Sequence, residues 1–221
     1  MDRVRSHAYT PLLTACCALL AGCWGNKELE FPAGLEPLEV NTAPWPEPTA
    51  SEDYPEAIEI VGGSDEWLWA HARAYVHASL ADSWEGMRDP EVNVDRRRVS
   101  SWEVDWDLPQ DHDYCYRIHV LVEDLITLEW DIDYNHGLIN GSLEEPEAVG
   151  IRWFKSEGSS FIDMQAGSIA AYELEDGVTA LEIVYWLDAT ATTEEDVTQY
   201  LDDMFGDLTN WVHGEPLPEY E

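Results

Sequence analysis

Basic residues are scarce: lysine and arginine together number 11 against 46 aspartates and glutamates, for a formal charge of −35. A surface of that sign repels nucleic-acid backbones and anionic lipid head groups, which argues against nucleic acid as a partner. Cysteine is rarer still. Cys16, Cys17 and Cys23 crowd the N-terminus and only Cys115 falls later, so no disulfide can staple the body of the chain. Cys115 sits in a strand-like context with nothing nearby to lower its pKa, and reads as a buried, inert thiol. The mostly apolar run from Ala8 to Leu20 is too short for a convincing membrane-spanning helix.

Motifs that carry chemistry are missing too. There is no Gly-x-Ser-x-Gly, no phosphate loop and no Cys/His pair at a telling position. The acids of Glu103-Val104-Asp105-Trp106-Asp107 and Asp111-His112-Asp113 lack the glycine and closing glutamate of a calcium loop. No two histidines share a helical face, so neither metal nor any other cofactor is expected. Glu129, Asp131 and Asp133 fall on the polar side of their strand, where a pKa-shifted catalytic carboxylate would not be. His71, His77, His119 and Arg152 reach inward only if the strand phase is off by one residue.

What is present is patterned. From Thr192 to Gly214, Val197, Tyr200, Leu201, Met204, Phe205, Leu208, Trp211 and Val212 recur at helical spacing. A threonine caps the start, three acids load the first turn and Gly214 closes the end of a helix about 30 Å long. Its wide aromatic face must lie on something equally wide. The preceding segments supply it. Tyr116, Ile118, Val120 and Val122 alternate with mostly polar neighbours, as do Ile126, Leu128, Trp130, Ile132 and Tyr134. Asn135-His136-Gly137 and Asn140-Gly141 read as turns. Val149 to Lys155, Ile162 to Leu174 and Val178 to Ala189 supply further strands, the last two joined by a hairpin at Glu175-Asp176-Gly177. An earlier strand is expected over Trp67 to Ser79, then a short helix over Ser79 to Met87 stopped by Pro90. The fold class is therefore α+β, a curved antiparallel sheet wrapped around a long C-terminal α-helix.

At the N-terminus, Arg3 and Arg5 precede the apolar run, which ends in Leu20-Ala21-Gly22-Cys23. This resembles the lipobox of bacterial lipoproteins. The resemblance implies a signal peptide over 1–22, lipidation of Cys23, a membrane contact through that anchor and an extracytoplasmic place in the cell envelope. Trp24 after the cysteine favours the outer membrane. Residues 23–56, rich in proline and glutamate, read as an extended, semi-rigid tether holding the domain away from the bilayer. Residues 57–214 form the domain and 215–221 an acidic tail.

The order of elements, with Ala78-Ser79, then Trp84, Met87, Asp89 and Pro90, then the hairpin around Asp176-Gly177 and the final helix, resembles the START-like superfamily. That group, also called SRPBCC or polyketide cyclase/dehydrase and lipid transport, has the helix-grip fold. The resemblance implies a cavity between sheet and helix. Its expected lining is Tyr116, Ile118, Val120, Leu128, Trp130, Ile132, Ile151, Trp153, Met164 and Tyr172 from the strands. Tyr200, Met204 and Leu208 approach from the helix.

Three functions compete. The leading one is binding of a hydrophobic or amphipathic, lipid-like small molecule in that cavity. A cyclase or dehydratase would need a His, Arg or carboxylate with a perturbed pKa inside it. A non-catalytic envelope lipoprotein would present an exposed apolar patch to a protein, built from surplus tryptophans such as Trp67, Trp69 and Trp102.

Overall fold

The computed structural model describes residues 29–175 and 177–220; the expected signal peptide and Cys23 lie outside the described residues. In chain order the elements are β1 (Ala57–Ser64), β2 (Leu68–Val76), α1 (Leu80–Met87), α2 (Pro90–Asn93), β3 (Ser101–Asp105), β4 (Tyr114–Glu123), β5 (Thr127–Gly141), β6 (Pro146–Gly158), β7 (Ile162–Glu175), β8 (Val178–Ala189) and α3 (Glu194–Val212). The strands form one curved antiparallel sheet of eight, in the order β1-β2-β8-β7-β6-β5-β4-β3.

α3 starts as its sequence dictates. Thr193 accepts from the Asp196 amide while the Asp196 carboxylate accepts from the Thr193 amide, and three acids face the positive end of the helix. Val197, Tyr200, Leu201, Met204 and Leu208 are buried, and the helix packs against β1, β2, α1 and α2. Pro90 does more than end α1. Asp89 caps it as the first residue of α2, a position where a missing N–H costs nothing.

Across the concave face runs a row of rings, one each from β4, β5, β6 and β8. Tyr116 stacks on Tyr134 at 5.0 Å, Tyr134 on Trp153 at 5.9 Å, and Trp153 on Tyr185 at 6.2 Å. Tyr200 of α3 closes the row, 4.9 Å from Tyr185. β7 contributes only Gly167, because the Trp153 indole lies across it. A Cβ there would stand 1.8 Å from Trp153 Cζ2. Gly167→Ala is expected to force the indole out of the row and destabilise the fold by about 3 kcal/mol, the upper end for overpacking a core. Chemical denaturation checks this.

The structure departs from the sequence expectation at two places. Asn135-His136-Gly137 is not a turn but the middle of β5, with His136 fully buried beside Tyr116. Gly137 is needed for close approach, since a Cβ would meet Leu35 Cδ1 at 2.5 Å. Leu35 belongs to the second of these places. Residues 29–56 do not stand off as a tether; they lie along the outer face of the sheet. Leu35 and Ala43 are buried, Trp45 stacks on Tyr75 at 5.0 Å, and the Asn41 side chain donates to the carbonyls of Ala72 and Ile183. Arg73 donates to the Ala43 carbonyl and His71 receives the Thr42 amide. The outer face carries apolar and buried polar groups because this arm covers it. β1 is a further strand that residue alternation does not predict, because Gly62-Gly63 interrupts the pattern.

A second clasp binds the loop before β3 to α3. Arg96 pairs with Asp207 at 2.6 Å, Arg97 with Asp203 at 2.8 Å, and Arg98 with Asp196. Tyr220 donates to Asp207, and the guanidinium groups of Arg96 and Arg97 lie over its ring.

Candidate ligand-binding site

The space beneath the middle of α3 is filled. Met87, Ile183, Met204 and Leu208 leave only about 10 Å³ there, at the limit for a single water. At the N-terminal end of α3 the packing opens into a cavity of about 480 Å³, within the range of small-molecule sites. Buried Trp130, Tyr185 and Tyr200 form its inner end, and Val122, Leu128, Ile162, Leu187 and Ala189 its walls. Charged side chains gather at the outer end, Arg98, Glu123, Asp124 and Asp196, while Asp95 is half-buried and its charge reaches the hydroxyls of Tyr185 and Tyr200.

The register of the sheet explains the inner end. β7 pairs Gln165 with Leu187 of β8, so the amide of Gln165 lies between Trp130 and Tyr185. Trp130 Nε1 donates to Gln165 Oε1 at 2.9 Å, and Gln165 Nε2 donates to the Tyr185 hydroxyl at 3.1 Å. Tyr200 donates to the Asn93 carbonyl at 2.9 Å. Burial pushes the Tyr185 and Tyr200 hydroxyls well above the ordinary phenol range, so both stay neutral. Asp95 is also raised, because burial outweighs the pull of Arg98 and two backbone amides.

Of the expected lining, Leu128, Trp130 and Tyr200 border the cavity. Tyr116, Ile118, Val120, Ile132, Ile151, Trp153, Met204 and Leu208 lie in the solid core instead, packed among themselves and with the aromatic row. Met164 and Tyr172 are on the wrong face. β7 turns Gln165, Gly167, Ile169 and Ala171 inward, and Tyr172 joins Tyr75, Ala148 and Ala180 under the N-terminal arm. There it borders a second recess of about 480 Å³, whose one basic group, Arg73, is already held by Glu182 and two backbone carbonyls. Sequence reasoning missed Gln165, Tyr185, Leu187, Ala189 and Asp95.

Other candidate chemistry is structural. Arg117 pairs with Asp133 and Asp131, and His119 with Asp131, on the outer face. Among the described residues, no three His, Cys, Asp or Glu side chains converge as metal ligands. Trp67 lies tilted against Trp186 and Trp69 against the buried His71, and all three tryptophans are partly covered.

The arrangement is the helix-grip fold of START-like domains. The lipid transfer and protein localization domain of human StarD13 superposes with a TM-score of 0.50 at 7% identity, over 79% of this chain and 89% of that one. Human StAR-related lipid transfer protein 5 superposes with a TM-score of 0.51 at 10% identity, over 73% of this chain and 84% of that one. At these identities the likeness speaks to fold alone. No family model matches the chain, and no curated protein matches it in sequence.

Proposed function

We propose that this protein binds an apolar or amphipathic, lipid-like small molecule at the N-terminal end of α3. The observation that carries the proposal is a cavity of about 480 Å³ with apolar side walls and a charged outer end, beside a core that is filled beneath the middle of α3. Burying a ligand's apolar surface drives binding at about 25 cal/mol per Å², and the few polar groups at the inner end orient it. The two human neighbours, both described as lipid transfer domains, support the reading by sharing the sheet-and-helix frame.

Ala189 is the residue to fill. Ala189→Trp is expected to occupy the cavity and weaken the neutral fluorophore N-phenyl-1-naphthylamine at least tenfold, with melting temperature little changed. Saturable fluorescence enhancement by the unaltered protein is the expected control, and its absence overturns the reading.

Attachment to the membrane through Cys23 belongs to the same proposal, supported by the lipobox-like Leu20-Ala21-Gly22-Cys23. The N-terminal arm is docked from Leu29 onward, so five residues separate the anchor from the docked arm, at most about 20 Å of extended chain. The domain would then sit close to its membrane on the extracytoplasmic side, in the cell envelope, with the outer membrane favoured. Cys23→Ser should move the protein from the detergent phase to the aqueous phase on partitioning.

One observation favours a second reading. Asp95 is a carboxylate with a raised pKa at a ligand-sized cavity, as a cyclase or dehydratase would require. Under that reading Asp95→Asn abolishes turnover and leaves binding intact.

A further inference from the structure

We infer that the cavity selects uncharged ligands bearing a hydrogen-bond acceptor oxygen, such as a ketone or alcohol, and rejects carboxylates, with Tyr185 as the group that reads the oxygen. This rests on the reading of the cavity as a ligand site and specifies its chemistry.

The inner end fixes the direction of every hydrogen bond. An indole N–H is a donor and nothing else, so the atom of Gln165 facing Trp130 must be its carbonyl oxygen. That orients the amide nitrogen toward Tyr185, whose oxygen therefore accepts. The Tyr185 hydrogen is left over. It finds no acceptor among the described residues, although Tyr185 is only 4% exposed and borders the cavity. A buried donor without a partner is costly, and a ligand oxygen satisfies it. Because Trp130 cannot accept, the chain cannot reverse to present an acceptor instead.

The outer end selects by charge. Asp95, Glu123, Asp124 and Asp196 border the cavity with Arg98 as the only base in its lining, and Arg98 is engaged by Asp196 and lies 3.9 Å from Asp95. Glu123 and Asp124 have no basic counterpart there. An anionic ligand would meet net negative charge on entry and an already committed guanidinium, in a chain of formal charge −35.

Three naphthalenes of closely similar shape test this by calorimetric titration of the intact protein: 2-acetylnaphthalene, 2-ethylnaphthalene and 2-naphthoate. The ketone is expected to bind roughly tenfold more tightly than the hydrocarbon, the worth of one satisfied buried donor, and the carboxylate most weakly. Tyr185→Phe should bring the ketone down to the hydrocarbon's affinity and leave the hydrocarbon unchanged. Equal binding of ketone and hydrocarbon by the unaltered protein, or tightest binding by the carboxylate, overturns the inference while the ligand site stands. If none of the three binds, the ligand site itself fails and the selectivity with it. The ranking in the unaltered protein decides the matter even if the variant does not fold.

Discussion

His136→Leu is expected to remove one large source of acid sensitivity from this fold while leaving it at least as stable at pH 7. His136 is fully buried on β5, and neither ring nitrogen has a protein partner among the described residues. Burial, aided by the charge of Arg88, holds its pKa down at about 3 against an ordinary 6.5. The sign follows from linkage. Below pH 6.5 the unfolded chain takes up a proton that the folded chain refuses, so stability falls as pH falls, until the folded group titrates near 3. Each pH unit in that window costs about 1.4 kcal/mol, and the whole window between 4 and 5 kcal/mol. Asp95 and Asp207 act the other way, because their raised pKa values let the folded state bind protons first. Comparing the protein with His136→Leu isolates the histidine. Urea denaturation at pH 6.5, 5.5 and 4.5 should show a gap between the two that widens by about 1 kcal/mol over the first step and about 1.3 kcal/mol over the second. Parallel curves would mean that His136 is already charged or hydrated in the folded state.

Breaking the Arg96–Asp207 pair is expected to cost nearly as much. The Asp207 side chain is 2% exposed and its carboxylate holds Arg96 at 2.6 Å and Tyr220 at 2.7 Å. Burial still raises its pKa despite both partners, which shows how much hydration the carboxylate has lost. Asp207→Ala strands the Arg96 guanidinium against α3 and should destabilise the protein by about 3 kcal/mol. It should also loosen the segment from Asp95 to Val99, which borders the cavity. Replacing both partners with apolar residues, Arg96→Met with Asp207→Leu, is expected to recover most of that loss, because desolvating an ion pair offsets much of its attraction. Thermal denaturation of the single and double variants reads this directly. A double variant as weak as the single one would place the loss in Tyr220 and the tail rather than in the pair.

The helix and the central strands were legible because one face of each meets water. In β4 and β5, Ile118, Val120, Trp130 and Ile132 alternate with Arg117, His119, Asp131 and Asp133, so phase and class could be read off. β7 could not be phased. Ala166-Gly167-Ser168-Ile169-Ala170-Ala171 looks alike on both sides, and the large residues flanking it, Met164 and Tyr172, face outward. The outer face is apolar there only because the N-terminal arm covers it, and nothing in the composition of that arm announces the docking of Leu35, Ala43 and Trp45. The cavity was misplaced for a related reason. Whether the space under α3 is full depends on rings from separate strands meeting in one row, which register decides and residue spacing within a strand does not. Tyr185 lay hidden in Val184-Tyr185-Trp186-Leu187, a run apolar on both faces.

The claim on which the rest depends is that a ligand enters at the N-terminal end of α3 and not beneath its middle or under the arm. Nuclear Overhauser contacts from methyl-labelled protein to bound 2-acetylnaphthalene measure this in solution. Contacts from Leu128, Ile162 and Leu187 are the expected result. Contacts from Met204 and Leu208 instead, or from Val184 on the outer face, or no contacts at all at saturating ligand, would contradict it.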